Sequence, residues 1–175
     1  MKRIIRLSML CCLSLLAAAP GAKAQESGTI QAIATVVTSL SVIPMNNLNF
    51  GTILPGIDKS VDKAEVGFAG EWSIMGTASA EVTIDFTLPA NLYTVDSTAF
   101  LRAWFSPSDA SYEDGTGGGQ VVPAGILNPG GPSTKNIGAG GIITIWIGGT
   151  VGPTVSQTGG DYSGDIVLTV AYTGA

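Results

Sequence analysis

The sequence predicts an all-β protein, an antiparallel β-sandwich, and two observations support that prediction. Short runs in which apolar and polar residues alternate recur along the chain, as in strands that bury one face. The chain contains 24 glycines and 9 prolines, many of which separate these runs, and no segment repeats with the period of an amphipathic helix. Several short strands joined by such turns are typical of a β-sandwich.

The first 24 residues are predicted to be a secretory signal peptide. Basic residues lie among the first six, an apolar stretch covers residues 7–19, and Ala22-Lys23-Ala24 has the small-x-small pattern of a cleavage site. The apolar stretch is shorter than the roughly 18 residues that a membrane span needs, and no later segment reaches that length. We therefore expect export through the Sec pathway and no membrane insertion.

The composition of residues 25–175 limits the possible partners and chemistry. This part keeps four basic residues and all thirteen acidic ones, which gives a net charge of −9 and argues against nucleic acid as a partner. Both cysteines, Cys11 and Cys12, lie in the predicted signal, and the chain has no histidine. A Ser-His-Asp triad, a thiolate nucleophile and a conventional zinc site are thereby excluded. We expect no catalytic residue, no cofactor, no metal and no enzymatic activity.

The alternating runs place the strands in order along one domain, residues 38–175. The acidic, glycine-rich stretch 106–119 is expected to be a mobile surface loop. Strands are predicted near residues 30–37, 39–43, 48–53, 64–75, 80–88, 98–106, 142–148 and 165–173.

The first alternating run, residues 30–43, is long compared with an ordinary strand of about five or six residues. It divides more naturally into an N-terminal arm, residues 25–37, and the first strand of the domain. Two interpretations stay open for the arm: it donates a strand to another chain, or it pairs within its own domain. Its apolar face consists of Ile30, Ala32, Ala34 and Val36.

The last alternating run ends close to the final residue, which raises the question of what pairs with it. Its outward positions are Val167, Thr169, Ala171 and Thr173. An apolar strand with one unpaired edge exposes backbone donors and acceptors and invites the addition of a strand. The inward face consists of Ile166, Leu168, Val170 and Tyr172.

The three tryptophans differ in their expected surroundings. Trp72 lies two residues before Ile74, on the same face of its strand, and is predicted to lie in the core. Trp104 shares one face of its strand with Arg102, and Leu101 and Ala103 lie on the other face. Trp104 and Trp146 are candidate contacts with a ligand or a neighbouring subunit, because exposed aromatic rings stack on sugars and on other proteins. The alternative is that a loop such as 106–119 covers both rings.

Acidic residues suggest two further kinds of site, and in both cases a solvent-exposed surface without a ligand is the favoured interpretation. Asp109, Glu113 and Asp114 could ligate Ca²⁺, but their spacing does not match an EF-hand loop and favours a solvated loop. Glu81 and Asp85 could form a glycosidase pair, but alternation on one strand favours a face turned to solvent.

Both ends of the mature chain resemble a known group of proteins. Residues 34–56, ATVVTSLSVIPMNNLNFGTILPG, resemble the opening of a bacterial secreted β-sandwich domain family of uncharacterised function. That family is similar to spore-coat-U-type and chaperone–usher fimbrial subunits, the pilins. The closing run GDYSGDIVLTVAY also resembles the end of these proteins, and Gly160 and Tyr172 have the twelve-residue separation of the glycine and near-terminal tyrosine typical of pilins.

The resemblance implies an immunoglobulin-like sandwich that lacks its last strand, in a structural subunit of a surface fimbria. The arm would be the donor strand of a neighbouring subunit, and the partners would be other copies or related subunits, with a periplasmic chaperone and an outer-membrane usher. The protein would pass through the periplasm to the cell surface. The alternative is a self-complete secreted adhesin or carbohydrate-binding module. The strand that borders the groove would contribute Gly160, Ile166, Leu168, Val170 and Tyr172.

Overall fold

The computed structural model describes residues 26–34, 36 and 39–174. The predicted signal peptide, residues 1–24, lies outside these residues. The chain divides into two units at Thr35, and in the first of them residues 26–34 adopt no regular secondary structure. The second unit contains every strand of the described chain and is called the β-domain below.

The described residues are all-β, with thirteen strands and no helix, and every ladder is antiparallel. The predicted fold class, an antiparallel β-sandwich, is thus confirmed. The strands are β1 (Ser41–Asn46), β2 (Lys59–Val61), β3 (Gly70–Met75), β4 (Glu81–Thr87), β5 (Asn91–Thr94), β6 (Phe100–Trp104), β7 (Ala110–Glu113), β8 (Gly125–Leu127), β9 (Ser133–Asn136), β10 (Ile142–Ile147), β11 (Gly149–Gly152), β12 (Tyr162–Ser163) and β13 (Val167–Tyr172).

The strands form three sheets. The first has the order β1-β3-β10-β7-β8, the second β12-β5-β6-β11-β2 and the third β13-β4-β9. Gly148 separates β10 from β11, so that one run of chain passes from the first sheet into the second. A Cβ atom at Gly148 would collide with the Val61 carbonyl oxygen and the Lys63 nitrogen, which explains the glycine at this corner.

The main core lies between the first and third sheets. Alternate residues of β10 and of β4 meet there, and each of these side chains is buried. Trp72 packs against this core as predicted, with its ring edge-on to Phe86 at a centroid distance of 6.2 Å. The buried members are Ile74, Val82, Ile84, Phe86, Ala110, Leu127, Ile137, Ile143, Ile145, Ile147 and Leu168.

A smaller core lies on the inner face of the second sheet. Leu101, Ala103 and Val151 are buried there, and they are covered by side chains from irregular segments as well as from strands. The half-buried members are Phe50, Ile53, Leu92, Phe105 and Tyr162.

Four of the predicted elements differ from the structure. Residues 48–53 form no strand. The Asn49 backbone N–H donates to the Phe68 carbonyl just before β3, and the side chains of Phe50 and Ile53 pack against the second sheet. The predicted strand 64–75 begins only at Gly70, because residues 62–69 form successive turns.

The predicted strand 30–37 is absent from its described residues, 30–34 and 36. The stretch 106–119, predicted to be a loop, contains strand β7, whose Ala110 and Ser111 are buried. The sequence did not indicate β7, because the strand has few apolar side chains and serine and glutamate occupy its outward positions.

Candidate functional site

Two edge strands, β1 and β13, are the longest unpaired edges of the β-domain. Each contains six residues and pairs on one side only, β1 with β3 and β13 with β4. The other edge strands, β2, β8, β9 and β12, have between two and four residues. An edge of six residues with an apolar inward face is a template on which another strand can add.

The hydrogen-bond pattern shows which backbone groups of β13 point outward. The Thr173 N–H donates to the carbonyl of Glu81, the residue directly opposite in the ladder. Because bonded pairs alternate in an antiparallel ladder, Thr169 and Ala171 also turn their backbone groups towards β4. The N–H and C=O groups of Leu168 and Val170 therefore point away from β4, while their side chains pack inward.

The same reasoning applies to β1. The Gly76 N–H donates to the Gly141 carbonyl, so alternate residues of β3 bond to β10 and the others bond to β1. The backbone of Val42 and the carbonyl of Pro44 consequently point away from β3. A proline is tolerated at this position because its missing N–H lies on the outer edge.

The start of β1 and the end of β13 lie on the same side of the domain, next to Gly76. A Cβ atom at Gly76 would be 2.5 Å from the Tyr172 hydroxyl and 2.9 Å from Leu40 Cδ1. The Thr77 N–H donates to the same hydroxyl at 2.7 Å. The two edge strands thus approach one another at this end, with no ladder between them.

At the other end of these two strands the domain contains a cleft of about 900 Å³. Its walls are two irregular segments, the one that follows β1 and the one that precedes β13. Its floor is apolar and includes Leu92, Leu101, Ala103 and Phe105. The cleft and the two outward edges form one candidate site, the groove, lined by residues 44–55 and 157–166 and flanked by β1 and β13.

Side-chain hydrogen bonds hold both walls of the cleft. The Asn46 side chain donates to the Ala69 carbonyl at 2.7 Å. On the opposite wall the Gln157 amide donates to the Tyr162 hydroxyl at 2.8 Å, and that hydroxyl donates to the Thr158 carbonyl at 2.6 Å. These hydrogen bonds fix the backbone of both walls of the cleft.

The five residues predicted for the terminal groove strand lie along the groove but in more than one element. Leu168, Val170 and Tyr172 belong to β13, and Ile166 directly precedes it. Gly160 precedes β12 instead, with a φ of +151° that favours glycine, and it lines the cleft. Sequence reasoning missed Phe50, Leu92 and Tyr162. Phe50 lies on irregular backbone, and Leu92 and Tyr162 lie in β5 and β12, two short strands that the alternation did not predict.

The predicted donor residues lie in the segment without regular secondary structure. Ile30 and Val36 are 95% and 92% exposed, and Ala32 and Ala34 are exposed as well. Thr35, Val37 and Thr38 lie outside the described residues. The described part of the arm is therefore an exposed apolar segment with no strand partner of its own.

The two tryptophans proposed as contacts have different surroundings. Trp104 is 37% exposed on the outer face of the second sheet, with the Arg102 guanidinium 5.9 Å from its ring centroid. Trp146 is only 6% exposed, on the outer face of the first sheet, and its Nε1 has no hydrogen-bond partner. The alternative of a covered ring therefore applies to Trp146, which offers no surface to a ligand.

The acidic residues of the stretch 106–119 bind their own loop. Asp109 accepts a hydrogen bond from the Ser106 N–H, and Asp114 accepts bonds from Thr116. The Glu113 carboxylate accepts N–H bonds from three glycines, and its bond from Gly117 is the main reason that its pKa lies below the ordinary value. Among the described residues, no three potential metal ligands come together.

Within the described part of the chain, no helix is long and apolar enough to cross a membrane. Comparison of the chain with protein-family models and with curated proteins finds no match.

Proposed function

We propose that this protein is a structural subunit of a bacterial surface fimbria or pilus-like polymer. The N-terminal arm of one copy adds as a strand to the groove of the next, which completes an immunoglobulin-like sandwich. The observation that carries the proposal is the groove itself. An open cleft with an apolar floor lies between the end of β1 and the segment that precedes β13, and both strands are six-residue edges with outward backbone groups.

Strand addition is the binding mode that such a groove favours. An added strand would bond to the outward N–H and C=O groups of Leu168 and Val170, and its alternate side chains would enter the cleft. The gain comes from apolar surface removed from water, roughly 25 cal/mol per Å², and from about 0.5–1.5 kcal/mol for each hydrogen bond.

The arm has the properties that the groove requires in a donor. Its alternate residues Ile30, Ala32, Ala34 and Val36 are apolar, and each is exposed.

The route that goes with this function has three steps. The chain is exported by the Sec pathway, a periplasmic chaperone occupies the groove during transit, and an outer-membrane usher exchanges the chaperone for the arm of another subunit. The same physical argument supports the chaperone and the arm as occupants of the groove, because an exposed apolar strand edge promotes aggregation unless another strand covers it.

The test replaces residues on one face of the arm. The double variant Ile30→Asp, Val36→Asp should abolish SDS-resistant multimers of the secreted protein, because a carboxylate cannot enter the apolar cleft without a partner. The readout is a gel of unheated and boiled samples, together with light scattering after size exclusion.

Ile33→Asp is the matched control, because Ile33 is 86% exposed and lies on the opposite face of an extended arm. Its multimers should persist. Multimers that survive the double variant, or that Ile33→Asp removes equally, would refute the donor assignment.

A second candidate, a self-complete secreted adhesin or carbohydrate-binding module, is favoured by the exposed Trp104 and its neighbour Arg102. It requires a stable monomer whose groove is filled by its own chain. Light scattering of the wild-type protein separates the two candidates, since only the first yields multimers that collapse on boiling.

A further inference from the structure

The outer face of the second sheet carries a row of exposed aromatic side chains. Phe100, Arg102 and Trp104 alternate along β6 with the buried Leu101 and Ala103, so that all three point outward. Tyr93 lies directly opposite Phe100 on β5, with ring centroids 6.5 Å apart. We call Tyr93, Phe100, Arg102 and Trp104 the aromatic face.

The backbone beneath Trp104 is shaped to hold its ring against the sheet. A Cβ atom at Gly152 would lie 2.8 Å from Cζ3 and 2.9 Å from Cη2 of the indole, so any larger residue would displace it. With one side of the indole against Gly152, the exposed part of the ring is available to a ligand.

The charge on this face is unusual for the domain. Beyond residue 36 the chain has twelve acidic and four basic residues, yet Arg102 makes a ring contact with Trp104 and no ion pair within the described residues. The guanidinium is thus positioned by an aromatic ring while its N–H donors remain available. Such a group binds carboxylates in a bidentate manner.

The surrounding polar groups complete a set that suits a sugar. Asn91 lies opposite Arg102 on β5, and Asp58 Oδ1 lies 3.1 Å from the position of a Gly152 Cβ. Thr150 lies opposite Trp104 on β11 and shares a 2.8 Å hydrogen bond with Ser60 of β2. Amide, carboxylate and hydroxyl groups around aromatic rings provide donors and acceptors for sugar hydroxyls.

We propose that the aromatic face binds a polysaccharide whose pyranose rings carry carboxylates. The C–H faces of the rings stack on Trp104 and Phe100, and a uronate carboxylate pairs with Arg102. Phe100 and Trp104 are four residues apart on one strand, about 13 Å, which leaves room for more than one sugar ring. This site is independent of the groove. In a polymer the aromatic face would be repeated along the fibre and avidity would rise, and that gain alone rests on the proposed function.

The experiment titrates the purified protein with oligogalacturonate by calorimetry, and with a neutral galacto-oligosaccharide of equal length. Oligogalacturonate should bind more tightly than the neutral oligosaccharide, because only the uronate carboxylate can pair with Arg102. Arg102→Ala and Trp104→Ala should each weaken binding at least tenfold, and Arg102→Lys should restore part of the loss. Thermal melts establish that each variant is folded.

Phe68→Ala is the matched control, because Phe68 is 45% exposed and lies between β2 and β3 instead of on β5 or β6, the strands that carry the aromatic face. It should bind as the wild type does. Equal affinity for the neutral sugar would overturn the carboxylate assignment, and absence of binding to oligogalacturonate would overturn the proposal. Loss of multimers in Trp104→Ala, without sugar binding in the wild type, would make the face a contact between copies instead.

Failure of this proposal is distinguishable from failure of the proposed function. The arm variant Ile30→Asp, Val36→Asp should bind oligogalacturonate like a wild-type monomer, and Arg102→Ala should form normal multimers. Each variant thus affects one readout and leaves the other unchanged.

Discussion

Gly76 shows how one residue determines the closed end of the groove. It directly follows β3, and atoms of Leu40, Ile137 and Tyr172 occupy the space where its Cβ would be, at 2.9, 2.6 and 2.5 Å. These three side chains come from the segment before β1, the segment after β9 and the end of β13. The absence of a side chain at residue 76 is therefore what allows them to meet.

Gly76→Ala is expected to destabilise the fold by about 1–3 kcal/mol, because the added methyl group overpacks this junction. Gly131→Ala is the control: nothing lies within 4 Å of its Cβ position, and its stability should be unchanged or up to about 1 kcal/mol higher. Urea denaturation of both variants measures the difference. Equal midpoints would mean that Leu40 and Tyr172 do not pack over Gly76.

Glu113 organises the loop that follows β7. Its carboxylate accepts bonds from the N–H groups of Gly115, Gly117 and Gly119 at 2.6, 2.9 and 3.2 Å. These bonds favour the charged form and lower the pKa below 4.5, with Gly117 as the largest cause. The stabilisation of the loop by the ionised Glu113 carboxylate is therefore present above pH 4.5 and is lost as the pH falls through the lowered pKa of the folded state.

Acidification should loosen this loop. We expect the amide protection of Gly117 and Gly119, measured by NMR hydrogen exchange, to fall as the pH drops below 4.5 and through the lowered pKa. In Glu113→Gln the pH dependence should disappear, whereas Glu81→Gln, at an exposed position of β4, should retain it. An unchanged profile in Glu113→Gln would assign the effect to another group.

At the scale of elements, β13 has two kinds of backbone N–H. Those of Thr169 and Ala171 bond to β4, while those of Leu168 and Val170 point to the outer edge. In the monomer we expect exchange at 168 and 170 to be faster by about tenfold or more, since a typical hydrogen bond contributes about 1 kcal/mol. In multimers all four amides should be protected.

Two results would contradict this prediction. Protection of Leu168 and Val170 in a monomer would mean that the arm pairs within its own chain. Multimers in which both amides still exchange rapidly would mean that the copies associate through another surface.

The strands that the sequence predicts best are those with the longest alternation between a buried and a solvated face. β4 and β10 each bury large apolar side chains at three alternate positions, and β6 and β13 turn apolar residues inward at alternate positions, so their periodicity is visible without any partner. β7 and β2 escape prediction because serine, lysine and glutamate occupy most of their positions. Their strand conformation depends on ladders to β10 and β11, which are long-range contacts.

At the scale of the whole molecule, the second sheet is the incompletely covered part. Its inner face meets irregular segments and leaves a cleft of about 900 Å³, whereas the first and third sheets face each other across a continuous core. A domain with such a cleft should gain stability from a strand that fills it, because only the folded state binds that strand.

A peptide of residues 26–38 added to protein that lacks these residues should raise the melting temperature. A hundredfold excess over Kd corresponds to about 2.7 kcal/mol, which for a domain of this size is roughly 5–15 °C. The same peptide with aspartate in place of Ile30 and Val36 should leave the melting temperature unchanged. Equal shifts with both peptides, or none with either, would contradict the groove as the binding site of the arm.

The sequence by itself determined the fold class, the principal strands and the inward face of β13, since these follow from local periodicity. It placed Trp104 on the face of its strand opposite Leu101 and Ala103, and it left open whether a loop covers Trp104 and Trp146. The tertiary structure alone decided that residues 48–53 line a cleft, that β1 and β13 approach each other at Gly76, and that Tyr93 joins Trp104 on one face. Each of these depends on segments far apart in the chain, and local periodicity carries no information about which segments meet.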